Sequence, residues 1–194
     1  MSGVPYIIEE SGNGERVYDL YSRLLKDRIV FIGEEFTSSL ANSVVAQLLF
    51  LESDNNEKDI TVYVNSPGGQ VSACLSIYDA MNYVKPDVST ICVGQAASAA
   101  AFVLSAGTKG KRFALKNSRI MMHQISGGAV GHIEDMKRTM DEVNKLNFIL
   151  LTELSKTTGK TMNKLKKDLE RDYYISPEEA KKYGVIDEVL YSRE

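Results

Sequence analysis

Two apolar, β-branched runs, Ile60-Thr-Val-Tyr-Val-Asn65 and Val88 to Val93, each lead into a glycine-bearing turn and then a helical pattern. This repetition constrains the chain more than any other feature. Consecutive strand–turn–helix units require parallel strands with right-handed crossovers, which is an α/β layered fold. Both turns must then lie at one edge of the sheet. The first turn, Ser66-Pro-Gly-Gly-Gln70, has two glycines, so the backbone can bend sharply and turn N–H groups toward a ligand. The second, Gly94-Gln-Ala-Ala-Ser98, opens a helix of small residues extending to Ala106. Ser98 therefore stands at a helix start, among unpaired N–H groups and a partial positive charge that favour a developing oxyanion. It is the candidate nucleophile. Serine is also an ordinary N-cap, so the assignment needs a base elsewhere in the chain.

The 194 residues fit one domain with a substantial core. A net charge of −3 argues against a nucleic-acid surface. The lysines of Lys164-Leu-Lys-Lys167 and Lys181-Lys182 are interleaved with acidic residues, as on a solvated helix face. The first ten residues show no basic leader or signal-like apolar run, and no apolar stretch is long enough for a membrane span, so a cytoplasmic location is expected. The two cysteines, Cys74 and Cys92, lack metal-ligand spacing and read as reduced core residues. A Cys92 nucleophile would be poorly exposed in mid-strand.

In chain order, residues 1–17 show no sustained period, and Ser11-Gly-Asn-Gly14 marks a loop. This arm is expected to order only against neighbours. Asp19 caps a helix to Leu25, Arg28 to Gly33 reads as a strand, and a helix from Thr37–Ser39 runs to about Ser53. After Gly107 and Gly110, strands are expected at Arg112–Leu115 and Ser118–His123. A long amphipathic helix follows from Ile133 to Lys156, with Ile133, Met136, Met140, Val143, Leu146, Leu150 and Leu154 on one stripe. A rod of that length outruns its own core, so part of the stripe is expected to meet a partner subunit. Thr161 caps a helix to Glu170, Asp172 to Ile175 is extended, Ser176-Pro-Glu-Glu179 is a capping box, and Val185 to Leu190 is a final strand.

A serine nucleophile needs a base that titrates near neutrality. Of the two histidines, His132 lies among polar residues, whereas His123 closes the apolar run Ile120-Met-Met122 near the edge that carries Ser98. His123 is the candidate base. The orienting carboxylate stays open on spacing alone, with Asp172 attractive and Asp79 and Asp187 as alternatives.

Further stretches join these residues: Tyr18-Asp-Leu-Tyr-Ser-Arg-Leu-Leu-Lys26, Asn65-Ser-Pro-Gly-Gly69, Tyr78-Asp79, Lys85-Pro-Asp-Val-Ser-Thr-Ile-Cys92, Gly94-Gln-Ala-Ala-Ser98, Lys109-Gly-Lys-Arg-Phe113, Met122-His-Gln124, Glu170-Arg-Asp172 and Ser176-Pro-Glu-Glu-Ala180. In this order they resemble the ClpP family, the proteolytic subunits of the Clp protease complex, over nearly the whole chain. The resemblance implies the ClpP/crotonase-like fold of repeated ββα units with a protruding handle. The whole chain would form one peptidase domain, with residues 1–17 as a flexible axial loop and about 124–157 as handle strand and helix. It implies a serine endopeptidase (endopeptidase Clp) with Ser98 as nucleophile, His123 as base and then acid, and Asp172 as the carboxylate that fixes the imidazole. Gly69 and Ala99 would supply the oxyanion-hole N–H groups. Gly127 and Gly128 would lie in a strand that pairs with an extended substrate. Glu170 and Arg171 would make contacts between rings, and Tyr63, Phe113, Leu115 and Leu190 would line the docking pocket for an AAA+ unfoldase such as ClpX, ClpC or ClpA. The implied assembly is two stacked heptameric rings that degrade unfolded polypeptides, with neither nucleic acid nor membrane as partner. No ATP-binding loop motif occurs here; the implied chain needs no cofactor or metal, and the partner uses the ATP.

Departures from the family pattern are Ala99-Ala100 for Met-Gly, Ile125-Ser126 for Pro-Leu and His132 for Gln. They imply a divergent paralogue with a reshaped pocket beside Ser98. Alternative readings are a weakly active or structural subunit in a ring mixed with a second ClpP, and a crotonase-type acyl-CoA enzyme.

Overall fold

A computed structural model describes residues 4–12 and 14–192. An antiparallel hairpin comes first, β1 (Tyr6–Ser11) against β2 (Gly14–Asp19). Sequence pattern assigns no strand there. Residues 14–17 of β2 are all exposed, and a ribbon without a buried face leaves no inside–outside alternation to read. Residues 1–3 and 13 of the expected arm lie outside the described residues.

Asp19 caps α1 (Leu20–Lys26) by accepting from Ser22 N–H. After β3 (Ile29–Ile32), the Thr37 hydroxyl caps α2 (Ser38–Asp54). The two units that organise the sequence follow as β4 (Ile60–Ser66) with α3 (Val71–Tyr83), and β5 (Val88–Ala97) with α4 (Ala99–Ser105). Then come β6 (Arg112–Leu115), β7 (Arg119–Met122), α5 (Ile133–Thr158), α6 (Met162–Asp168), β8 (Tyr173–Ile175), α7 (Pro177–Tyr183) and β9 (Glu188–Leu190). Ser176 and Glu179 form the expected capping box, and Gly184 ends α7 in the left-handed conformation.

Strands β3-β4-β5-β6-β9 form a parallel sheet in that order. Its inner residues Val30, Ile32, Val62, Val64 and Cys92 are fully buried together with Leu48, Ile77 and Leu104 of the covering helices. One strand, β5, serves two neighbours in succession. Thr90–Cys92 pair with β6, whereas Gln95–Ala97 pair in parallel with β7, and β8 adds antiparallel to β7. The pattern ends this strand at Val93; the chain instead bulges past Gly94 and continues to Ala97. That continuation brings the end of β5 beside the end of β7.

The 26-residue α5 is anchored only at its C-terminal part, where Leu151, Leu154 and Thr158 are buried. Toward its start, Ile133 is 72% exposed, and Met136 and Met140 are also exposed, so the apolar stripe there has no cover among the described residues. The strand expected around Gly127 and Gly128 does not form: residues 123–132 carry no strand. A strand needs a partner for its N–H and C=O groups, and no described residue approaches either glycine closely enough to meet an added Cβ.

Candidate functional site

The site lies where β5, β7 and β8 run side by side. Ser98 follows the last residue of β5, His123 follows the last residue of β7, and Asp172 precedes the first residue of β8. The pairing of Met122 with Tyr173 therefore places His123 and Asp172 on adjacent chain ends. Ser98 N–H donates to Met121 O at 2.8 Å, which locks the serine to the strand carrying the histidine.

Ser98 has φ 55 and ψ −122, a conformation that costs a non-glycine residue of order 1–3 kcal/mol and that surrounding contacts must enforce. One such contact is the close approach of the first glycine turn. A Cβ on Gly68 would lie 2.5 Å from Ala97 O and 2.8 Å from Ser98 Cβ, and Gly68 itself has φ 94. We expect Gly68→Ala to lower stability by about 1–3 kcal/mol, measured by thermal unfolding; an unchanged midpoint would show that the corner does not depend on this packing.

Ser98 Oγ lies 2.7 Å from His123 Nε2. For Nε2 to accept the hydroxyl proton, Nδ1 must carry the ring proton, and Nδ1 faces Asp172 Oδ1 at 3.6 Å. The imidazole is 18% exposed and the carboxylate 55%. The serine–histidine contact is thus closed, and the histidine–aspartate contact is open by several tenths of an ångström relative to an ordinary N–H···O bond.

The backbone donors expected at Gly69 and Ala99 border the same cavity, of about 90 Å³, as Ser98 and His123. Among the described residues the Gly69 N–H has no acceptor, because the bonds between the two segments use Phe36 N with Gly68 O, and Gln70 N with Phe36 O. The cavity's apolar wall comes from Val71, Cys74, Ala99, Phe102, Leu150, Leu151 and Leu154. Sequence reasoning places Leu150 and Leu154 on one stripe, part of which is expected to meet a partner subunit, without saying which part. The structure shows that the same stripe lines the chain's own pocket near its anchored end, and periodicity alone does not separate the two uses.

The alternatives fall away. Asp187 binds Arg112 through Nε at 2.8 Å and Nη2 at 2.7 Å, and among the described residues the carboxylate that pairs with His123 is Asp172 and not Asp79 of α3. Burial pushes the Cys92 thiol up to about 11 and raises that of Cys74 further, so neither is a thiolate near neutrality. Tyr63, Leu115 and Leu190 come together around one surface groove with Ile91 and Tyr191. Phe113 pairs in register with Ile91 and borders that groove without lining it. Glu170 and Arg171 are exposed, and the carbonyl of Glu170 accepts from Gln124 Nε2 at 3.2 Å. Among the described residues, no helix is long and apolar enough to cross a membrane.

The family model described as Clp protease matches residues 12–193. Its span runs from the turn of the N-terminal hairpin past the last strand and takes in the mixed fold, the parallel sheet and all three strand ends that converge at Ser98. A match over nearly the whole length makes this chain a member of the Clp protease family, a family of serine peptidases.

Proposed function

We propose that this chain is the serine endopeptidase subunit of a self-compartmentalised, ATP-dependent protease that hydrolyses unfolded polypeptides delivered by an AAA+ unfoldase. The observation that carries the reading is the 2.7 Å approach of Ser98 Oγ to His123 Nε2 at a backbone corner where serine is strained. In this mechanism Ser98 Oγ attacks the scissile carbonyl carbon while His123 Nε2 takes its proton. The carbonyl π electrons move to oxygen, and the oxyanion is held by the N–H groups of Gly69 and Ala99. His123 then protonates the departing amine, and water repeats the sequence on the acyl-serine. Asp172 stabilises the imidazolium once it closes on Nδ1. The groove at Tyr63, Leu115 and Leu190 is the docking place for the unfoldase, and the uncovered stripe of α5 is the surface between stacked heptameric rings. Glu170 and Arg171 stand beside Asp172 to make ring contacts, and residues 124–131, with Gly127 and Gly128, receive the substrate strand.

A second reading is favoured by the 3.6 Å gap at Asp172 together with the strand-free segment after His123. On that reading the site is completed by neighbouring subunits, including those of a second ClpP in a mixed ring.

A fluorophosphonate probe tests the first reading. The assembled protein should be labelled at Ser98, and His123→Ala should slow labelling by about 10³-fold or more. No label, or label on another residue, overturns it and reopens the crotonase-type alternative. Slow labelling of the isolated chain that rises in a mixed ring supports the second reading.

A further inference from the structure

We infer that Ser66 is a positioning residue for the oxyanion donor Gly69, an inference that rests on the peptidase reading above. Ser66 is the last residue of β4 and is fully buried. Its hydroxyl has two partners. It donates to Glu34 O at 2.6 Å and accepts from Gly68 N–H at 3.1 Å.

The consequence follows from peptide geometry. The N–H of Gly69 belongs to the same planar unit as the C=O of Gly68, and the two point in opposite directions. Phe36 N–H donates to Gly68 O at 2.8 Å, so the Gly69 N–H is aimed away from Phe36 and toward the cavity it shares with Ser98. That aim holds only while the Gly68 unit keeps its place. Two adjacent glycines at φ 94 and φ 150 have many conformations of similar energy. The Ser66 hydroxyl removes that freedom from one side, through Gly68 N–H, and ties the same point to the Glu34–Phe36 segment that holds Gly68 O. Gln70 N–H, donating to Phe36 O at 2.9 Å, closes the other side. Gly68 N–H, Gly68 O and Gln70 N–H, on the two sides of the Gly69 donor, are therefore all occupied, and Ser66 supplies the side chain among their partners. A donor fixed before the reaction begins costs no reorganisation when charge develops, so its value appears in the transition state and not in ground-state binding.

The test uses the assembled protein, with rates expressed per site titrated by the fluorophosphonate probe, so that a poorly folding variant lowers the number of sites and not the constant. For Ser66→Ala, kcat should fall about 10- to 100-fold and the inhibition constant of a peptide boronate should rise by a similar factor, while that of a product peptide changes less than about twofold. Ser66→Thr keeps the hydroxyl and should retain most of the rate. The inference is overturned if Ser66→Ala keeps kcat per site, if boronate and product affinities fall together, or if Ser66→Thr loses as much as the alanine variant. Wild-type protein that takes neither probe refutes the peptidase reading itself, whereas reactive wild-type protein with an inert Ser66 series refutes only this assignment.

Discussion

Replacing Ser98 with alanine is expected to lower peptide hydrolysis per site by about 10⁶-fold, the scale on which removal of a triad nucleophile acts. The protein itself should stay folded. Among the described residues the Ser98 hydroxyl makes one hydrogen bond, with His123 Nε2, while the backbone bonds that hold the corner, Ser98 N–H to Met121 O and the amides of Ala101 and Phe102 to Ser98 O, do not involve the hydroxyl. What remains should be the acceleration of about 10³ over water that binding and oxyanion stabilisation supply without a nucleophile. Steady-state hydrolysis of a fluorogenic peptide, with thermal unfolding as control, measures both quantities. A variant retaining more than a small fraction of the activity with an intact fold would exclude Ser98 as nucleophile.

The largest effect on stability is expected from Arg112→Met. Arg112 is 1% exposed and its guanidinium makes four bonds: two to Asp187, one to Ser105 O at 3.3 Å and one to Thr157 O at 3.0 Å. It thereby joins the end of α4, the end of α5 and the approach to β9. Methionine fills much of the space but leaves the mostly buried Asp187 with only the exposed Lys109 ammonium, at 3.5 Å, as counter-charge. Removing one partner of a buried pair costs about 3–5 kcal/mol, readable in urea titrations at matched protomer concentration.

The pH dependence of this loss has a definite sign. Burial raises the Asp187 pKa, but the hydrogen bonds and charge of Arg112, with the N–H groups of Gly110 and Arg112, more than offset it and hold the carboxyl at about 2. A folded-state pKa below the unfolded value of about 3.9 contributes stability that is fully present above that value and lost as pH falls toward about 2. In Arg112→Met the charge and side-chain hydrogen bonds that offset burial most are gone, so the carboxyl pKa moves up, and acidification relieves the variant of a poorly compensated buried charge. The gap between wild type and variant should therefore narrow on going from pH 7 to pH 4. A constant gap would mean that the loss comes from packing and not from the pair.

The sequence discloses some parts of this molecule and conceals others, for physical reasons. Ser98 and His123 are legible because one stands at a strand-to-helix corner and the other ends an apolar strand, and the ends of neighbouring parallel strands share an edge. Asp172 is not selected by pattern. Its place depends on Tyr173 pairing antiparallel with Met122, a choice made between segments far apart in the chain. Arg112 reads only as a strand residue, since its partner lies 75 positions away. The hairpin of β1 and β2 escapes notice because it buries no face. The expected strand at Gly127 and Gly128 does not form in the single chain for the complementary reason, since nothing among the described residues pairs with it.

The double service of β5 also fixes how long that strand can be. Side chains on a strand alternate faces with each residue, and Cys92, paired with β6, and Ala97, paired with β7, hang on the same continuous backbone. Adding or removing one residue near Gly94 would leave the β6 half in phase while inverting the β7 half, turning the hydroxyl of Ser98 to the wrong side of the sheet. The spacing between the two pairings is therefore a ruler whose graduation is a single residue.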